Sequence, residues 1–306
     1  MPAPDHTPSH IKSGSCLTEW QQKAVETRGE DFKLNFTLTD DGILTISGNT
    51  GLYSVPAPDA EPYYDEPEGP PCGWSEYASP FKDLYFHTAI IEDGVTLLGE
   101  ECFKDCKHLK KMILPENMPV IRKNFAEGTS LEYTEKDGLI FLGPPSNPFY
   151  YLMGPAGDFN KEILEIPEGT VRIADEAFTN KGFIKQVKFP DTLEFIGWYT
   201  FDGTSIRHLF IPEGKLAFDE TLMAFDGNPG APLESVSLPS SMYKIYKEGK
   251  DTGLVEAWNR TCKIIYRNPD DSIAEILEPH PLVNFDEPET GETDDDWINS
   301  LLEDPL

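Results

Sequence analysis

Several residue types and motifs are scarce in this chain, and each scarcity removes a class of function. Lysine and arginine number 25 against 54 aspartates and glutamates, a formal net charge of −29. That balance argues against nucleic acid or an anionic membrane as partner of the whole chain, since both need a positive footprint. No apolar run approaches the roughly 20 residues that cross a bilayer, so membrane insertion is not expected. Five cysteines (Cys16, Cys72, Cys102, Cys106, Cys262) are too few and too scattered for a disulfide framework. The six histidines do not cluster. Gly-x-Ser-x-Gly, a phosphate-cradling glycine loop followed by lysine, and His-Glu-x-x-His are all missing. An enzyme is therefore not expected, and no catalytic residue, metal ligand or cofactor is assigned.

What the chain has in quantity is repetition. An apolar residue followed by proline returns at Leu114-Pro115, Ile166-Pro167, Phe189-Pro190, Ile211-Pro212 and Leu238-Pro239. The last four prolines are separated by 23, 22 and 27 residues, and phenylalanine keeps step at Phe103, Phe125, Phe178, Phe201 and Phe225. Before each proline the template reads apolar, two variable residues, apolar, one variable, apolar, as in Ile184, Val187, Phe189 or Ile206, Leu209, Ile211. Alternation at the last three positions predicts a short strand, stopped by a proline that cannot donate to a ladder. A second apolar pair follows, such as Leu193 and Ile196. Then comes a small residue with phenylalanine, as in Ala177-Phe178, read as a short helical turn that drops its ring into the core. One unit cannot bury its own apolar side, so neighbours must stack with their strands parallel. Cys102 holds the slot of Ala177, so Cys102, Cys106 and His108 read as packing, not as half a zinc site.

Ile-Pro-Glu-Gly-Thr-Val-Arg-Ile-Ala-Asp-Glu-Ala-Phe at 166–178 resembles the BspA-type leucine-rich repeat, as does the segment at 91–103. Asp-Gly-Ile-Leu-Thr-Ile-Ser-Gly at 41–48 and Gly73-Trp74-Ser75 are similar to the stretch that precedes the array in that family. The resemblance implies a leucine-rich-repeat horseshoe of the α/β type: a solenoid of short parallel strands and short helical turns behind a small β-rich cap. It also implies a microbial surface or secreted protein that attaches to host matrix or neighbouring-cell proteins. The opening residues lack the apolar core of a secretory signal, which leaves a cytoplasmic location as the alternative. A monomer is expected.

The layout read from the sequence is a flexible N-terminus (1–16), a β/aromatic-proline cap (17–83), the array (84–267) and an acidic, largely disordered tail (268–306). Pro115 and Pro167 stand 52 residues apart, and the apolar runs around Pro144–Pro148 predict a hairpin-like insertion over 131–160. It either replaces one unit or projects as a loop. Three surfaces are candidates for binding. Variable positions between the template residues face outward. Together with adjoining residues they supply Lys111, Ile113, Lys185, Gln186, Lys188, Arg207, His208 and Phe210, a basic and apolar face suited to an acidic or mixed protein surface. Trp74, Tyr63, Tyr64 and Tyr77 either stack on sugar rings or cover the open end of the array. In the tail, 270–306 hold 13 acids and no lysine or arginine, and Trp297, Ile298, Leu301 and Leu302 have helical spacing. They either enter a partner's groove, as in an intracellular scaffold, or only solubilise.

Overall fold

The structure, a computed structural model, describes residues 10–56, 62–63, 73–74, 77–214, 216, 233–248 and 262–279. Short strands dominate, with two α-helices, Glu19–Arg28 and Ser240–Lys247, among the described residues. Template residues turn inward as their alternation requires: Phe86, Ala89, Ile91, Ile184, Val187, Ile206, Leu209 and Ile211 are all buried.

The strands these residues form pair in parallel from unit to unit. Ile43–Gly48 pairs with Thr88–Ile91, and that strand with Lys111–Ile113. Further along, Ile163–Glu165 pairs with Gln186–Lys188, and His208–Phe210 with Ser235–Leu238 and then Lys263–Arg267. Register follows the template, Ile163 opposite Gln186 and Phe210 opposite Ser237, so equivalent outward positions form rows. The second apolar pair builds another parallel ladder, from Leu97–Leu98 to Val120–Ile121 and from Tyr151–Pro155 through Arg172–Ile173 to Phe195–Ile196.

A third row of contacts runs through the phenylalanine turns. Phe103 N–H donates to the Phe125 carbonyl at 2.7 Å, and Phe178 N–H to the Thr200 carbonyl at 2.9 Å. The expected helical turn is therefore corrected. Each segment consists of linked tight turns, closed for example by Lys104 N–H to Glu101 C=O (2.9 Å) and Cys106 N–H to Phe103 C=O (3.1 Å). A helix would use these N–H groups internally, whereas here part of them serve the next unit. The corners are left-handed, with φ of 57° at Glu101, 58° at Asp105, 55° at Glu176, 60° at Asn180 and 53° at Tyr199. Between the corners the rings stack inside, Phe178 on Phe201 with centroids 5.8 Å apart.

The insertion is a three-stranded antiparallel sheet of Thr134–Lys136, Leu139–Leu142 and Tyr151–Pro155. Asp137 and Gly138, with φ of 56° and 84°, form its first turn. Because Tyr151 and Leu152 also pair with Arg172 and Ile173, the insertion joins the second ladder on its later side, while Val120–Ile121 stays in a separate pairing with Leu97–Leu98.

Described residues near each end take part in strands. His10–Ser15, inside the segment read as flexible, pairs antiparallel with Leu34–Thr39 and covers that sheet's edge. Ile273–Leu277, inside the segment read as tail, folds back on Lys263–Arg267 through a turn with Asp271 at φ 61°. In the cap, helix Glu19–Arg28 begins at a capping box of Thr18 and Gln21 and ends at left-handed Gly29. Gln21 is fully buried and donates to Thr50 Oγ1 (3.2 Å) and the Gly51 carbonyl (3.0 Å), which ties the helix to the sheet.

Candidate recognition face

The outward rows of the first ladder carry the side chains singled out from the sequence. Lys111, Lys185, Gln186, Lys188, Arg207, His208 and Phe210 are exposed, whereas Ile113 is half-buried. Thr88, which alternation placed outward, is buried instead, its strand lying between two others. Ile163 and Phe210 are 43% and 49% exposed, high values for apolar side chains on a strand.

Charges on this face are matched across neighbouring units. Lys185 Nζ lies 2.7 Å from Glu162, and Lys188 Nζ reaches Glu165. Arg207 pairs with Glu234, and Lys263 lies 3.0 Å from Glu278. The hydrogen bond from Lys188 holds the Glu165 carboxyl below its ordinary pKa. His208 Nδ1 contacts Ser235 Oγ at 3.0 Å, and its Nε2 lies 3.7 Å from Glu234. Lys110 and Lys111 enter no ion pair among the described residues. Lys185, Lys188 and Arg207 of the basic middle thus each stand beside a carboxylate. For three of the pairs the signal was available in the sequence: Glu162 and Glu165 precede Lys185 and Lys188 by 23 residues, and Glu234 follows Arg207 by 27.

Phe210 is anchored from below. The Arg267 guanidinium, 3% exposed, lies 3.6 Å from the centroid of its ring. Arg267 donates to the Ile211 carbonyl and to Ser237 Oγ (3.4 Å) and meets Asp271 at 3.3 Å. Burial lowers its pKa. A fixed cation beneath an exposed ring limits the ring's freedom and favours a defined contact surface.

The other candidates are less fully drawn. Tyr77 is half-buried in a pairing of Val55–Pro56 with Tyr77–Ala78, and Pro62–Tyr63 pairs with Gly73–Trp74. Tyr64 and the side chains of Tyr63 and Trp74 lie outside the described residues, as do Trp297, Ile298, Leu301 and Leu302. Cys16, Cys102, Cys106 and Cys262 are free and buried, and no group of three or more potential metal ligands occurs among the described residues. No described helix is long and apolar enough to cross a membrane. Sequence reasoning missed Trp198 and Tyr199, 48% and 37% exposed on a phenylalanine turn. Their signal was an aromatic pair where other units carry polar corners such as Glu101 and Glu176.

The family model for the BspA type leucine rich repeat region matches residues 77–138 and 157–249 in six copies. The unmatched stretch between them falls on the insertion. Comparison with curated proteins gives no match. Similar solved structures include a leucine-rich repeat protein from Eubacterium ventriosum, 14% identical, with TM-score 0.29 and coverage of 66% of this chain and 69% of that one. A leucine rich cell surface protein from Faecalibacterium prausnitzii is also 14% identical, with TM-score 0.29 and coverage of 77% and 90%. The pneumococcal vaccine antigen PcpA is 13% identical, with TM-score 0.28 and coverage of 68% and 80%. The assignment rests on the repeat match, which spans half of the sequence and keeps step with the two parallel ladders: this chain belongs to the BspA-type leucine-rich-repeat family.

Proposed function

We propose that this chain is a non-enzymatic binding protein that recognises other proteins through the strand face of a leucine-rich-repeat solenoid of horseshoe form. Adhesion or host interaction, by a monomer at a microbial cell surface or in secreted form, is the setting that suits such a surface. The observation that supports the reading is the pair of rows formed by outward positions, with Ile163 exposed in one and Phe210 in the other among matched charges. Exposed apolar groups framed by charged side chains are the usual make-up of a protein contact. With its charges paired, the face binds mainly by shape and apolar contact, so association depends only weakly on salt.

The test compares the intact chain with a Lys111→Glu, Lys188→Glu, Phe210→Ala variant in capture from surface-protein extracts of host and neighbouring cells. Loss of a saturable partner from a variant that keeps the parental circular dichroism is the expected result. Retention of every partner by the folded variant removes the strand face from the contact.

A further inference from the structure

The insertion joins one ladder at its later side and leaves the phenylalanine row incomplete. Between the turn at 123–127 and the turn at 174–177 the phenylalanine row lacks a rung. A cleft of about 350 Å³ opens there, with Tyr133, Ile140 and Met153 among its lining. That volume lies at the small end of ligand sites, about 300–1,000 Å³. Tyr151 and Leu152 pair with Arg172–Ile173 on one side and with Phe141 and Leu142 on the other, and Met153–Pro155 run on as lining of the cleft, with Gly154 close to the Ala177 carbonyl but with no phenylalanine turn of their own.

Three observations define what the cleft accepts. In intact steps the phenylalanine N–H donates to the next unit, Phe103 to Phe125 and Phe178 to Thr200. Phe125 N–H has no acceptor among the described residues and, by the same step, is directed into the cleft. Each flanking turn buries one phenylalanine, Phe125 on one side and Phe178 on the other, and the missing turn brings none. Side chains also reach across the opening: Lys123 pairs with Glu176, and Arg122 meets Asp175 at 3.4 Å and lies 5.8 Å from the Trp198 ring. The rim is therefore polar and partly exposed, with Trp198 and Tyr199 beside it.

We infer that this cleft binds a turn-forming polypeptide segment of a partner protein, which takes the place of the absent turn. The segment's carbonyl accepts from Phe125 N–H and its aromatic side chain lies on Tyr133, Ile140 and Met153. The occupant continues an interface the fold already builds, turn against turn, and a rim of two matched charge pairs with Glu127 exposed beside them disfavours a strongly acidic sequence. Strand and turn addition of this kind takes affinity from the main chain and specificity from the seated side chain. The site is separate from the strand face, and either can fail without the other.

The probe is a fluorescent peptide copying residues 174–182, Ala-Asp-Glu-Ala-Phe-Thr-Asn-Lys-Gly, titrated into the full chain by anisotropy. Saturable binding is expected, about tenfold weaker when the peptide's phenylalanine is alanine. Met153→Trp, which fills the floor, is expected to abolish it, whereas Lys188→Glu on the strand face leaves it unchanged. Because Met153→Trp can disturb folding, hydrogen exchange of the unmodified chain supplies a second readout, with peptide slowing the Phe125 amide. Equal binding of both peptides, no slowing at Phe125, or protection by a soluble hexasaccharide in place of peptide overturns the inference.

Discussion

Four thiols show how little of this chain's reactive chemistry is available to solvent. Burial pushes Cys16 up to about 12 and Cys106 and Cys262 up to about 11, from an ordinary value of 9.0, and also raises Cys102 well above that value. A thiol that keeps its proton longer when folded stabilises the native state fully below the unfolded value, and loses that contribution as pH climbs through the folded one. Urea midpoints should therefore hold steady from about pH 7 to 8.5 and fall between about pH 9 and 11. At pH 8, a thiol reagent should label none of these four in the native chain and all of them in denaturant. Labelling of Cys102 in the folded protein would contradict its place in the core. The sequence made this legible, since the repeat put Cys102 in a buried slot before any distance was known.

Among the elements, strands were readable and corners were not. Alternation ahead of each proline located the first ladder, and the second apolar pair located the other. The left-handed corners at Glu101, Glu176 and Tyr199 gave no sign, because only glycine and asparagine advertise that conformation. Helix Glu19–Arg28 escaped notice because its face is weakly amphipathic, although Thr18, Gln21 and Gly29 spelled out its ends. The ion pairs of the strand face escaped because their partners are a whole unit apart. Gly94 is an element-scale case where the backbone requires a glycine. Its φ is 99°, and a Cβ there would stand 2.3 Å from the Gly48 carbonyl oxygen, a backbone atom that cannot yield cheaply. Gly94→Ala should cost about 1–3 kcal/mol in urea unfolding, while Gly157→Ala, with open space around its Cβ, should cost under about 1 kcal/mol.

For the whole molecule, family membership and architecture were written in the period, whereas ligand choice was not. A repeat dictates its apolar side strictly and its outward side loosely, so the surface that meets a partner is the part least constrained by folding. The cleft was also invisible in advance. The 52-residue spacing announced an insertion, but only the pairing of Tyr151–Pro155 with two different neighbours shows which row it joins and which it leaves open.

That same interruption divides the interior. Buried side chains fall into two apolar clusters, one containing Phe86, Phe103 and Phe125, the other Phe178, Phe201 and Tyr266, with Ala177 packed against both. In a chain stabilised by neighbour contacts, a weakened junction marks where cooperativity breaks. Phe103→Ala and Phe201→Ala should each cost about 3–5 kcal/mol, yet in urea they should shift different halves of the transition, read by hydrogen exchange on either side of the insertion. A single shift shared by both would mean that the halves melt together. If they melt apart, the chain can yield under tension one block at a time, and a molecule held at one end would lengthen in two steps before it lets go.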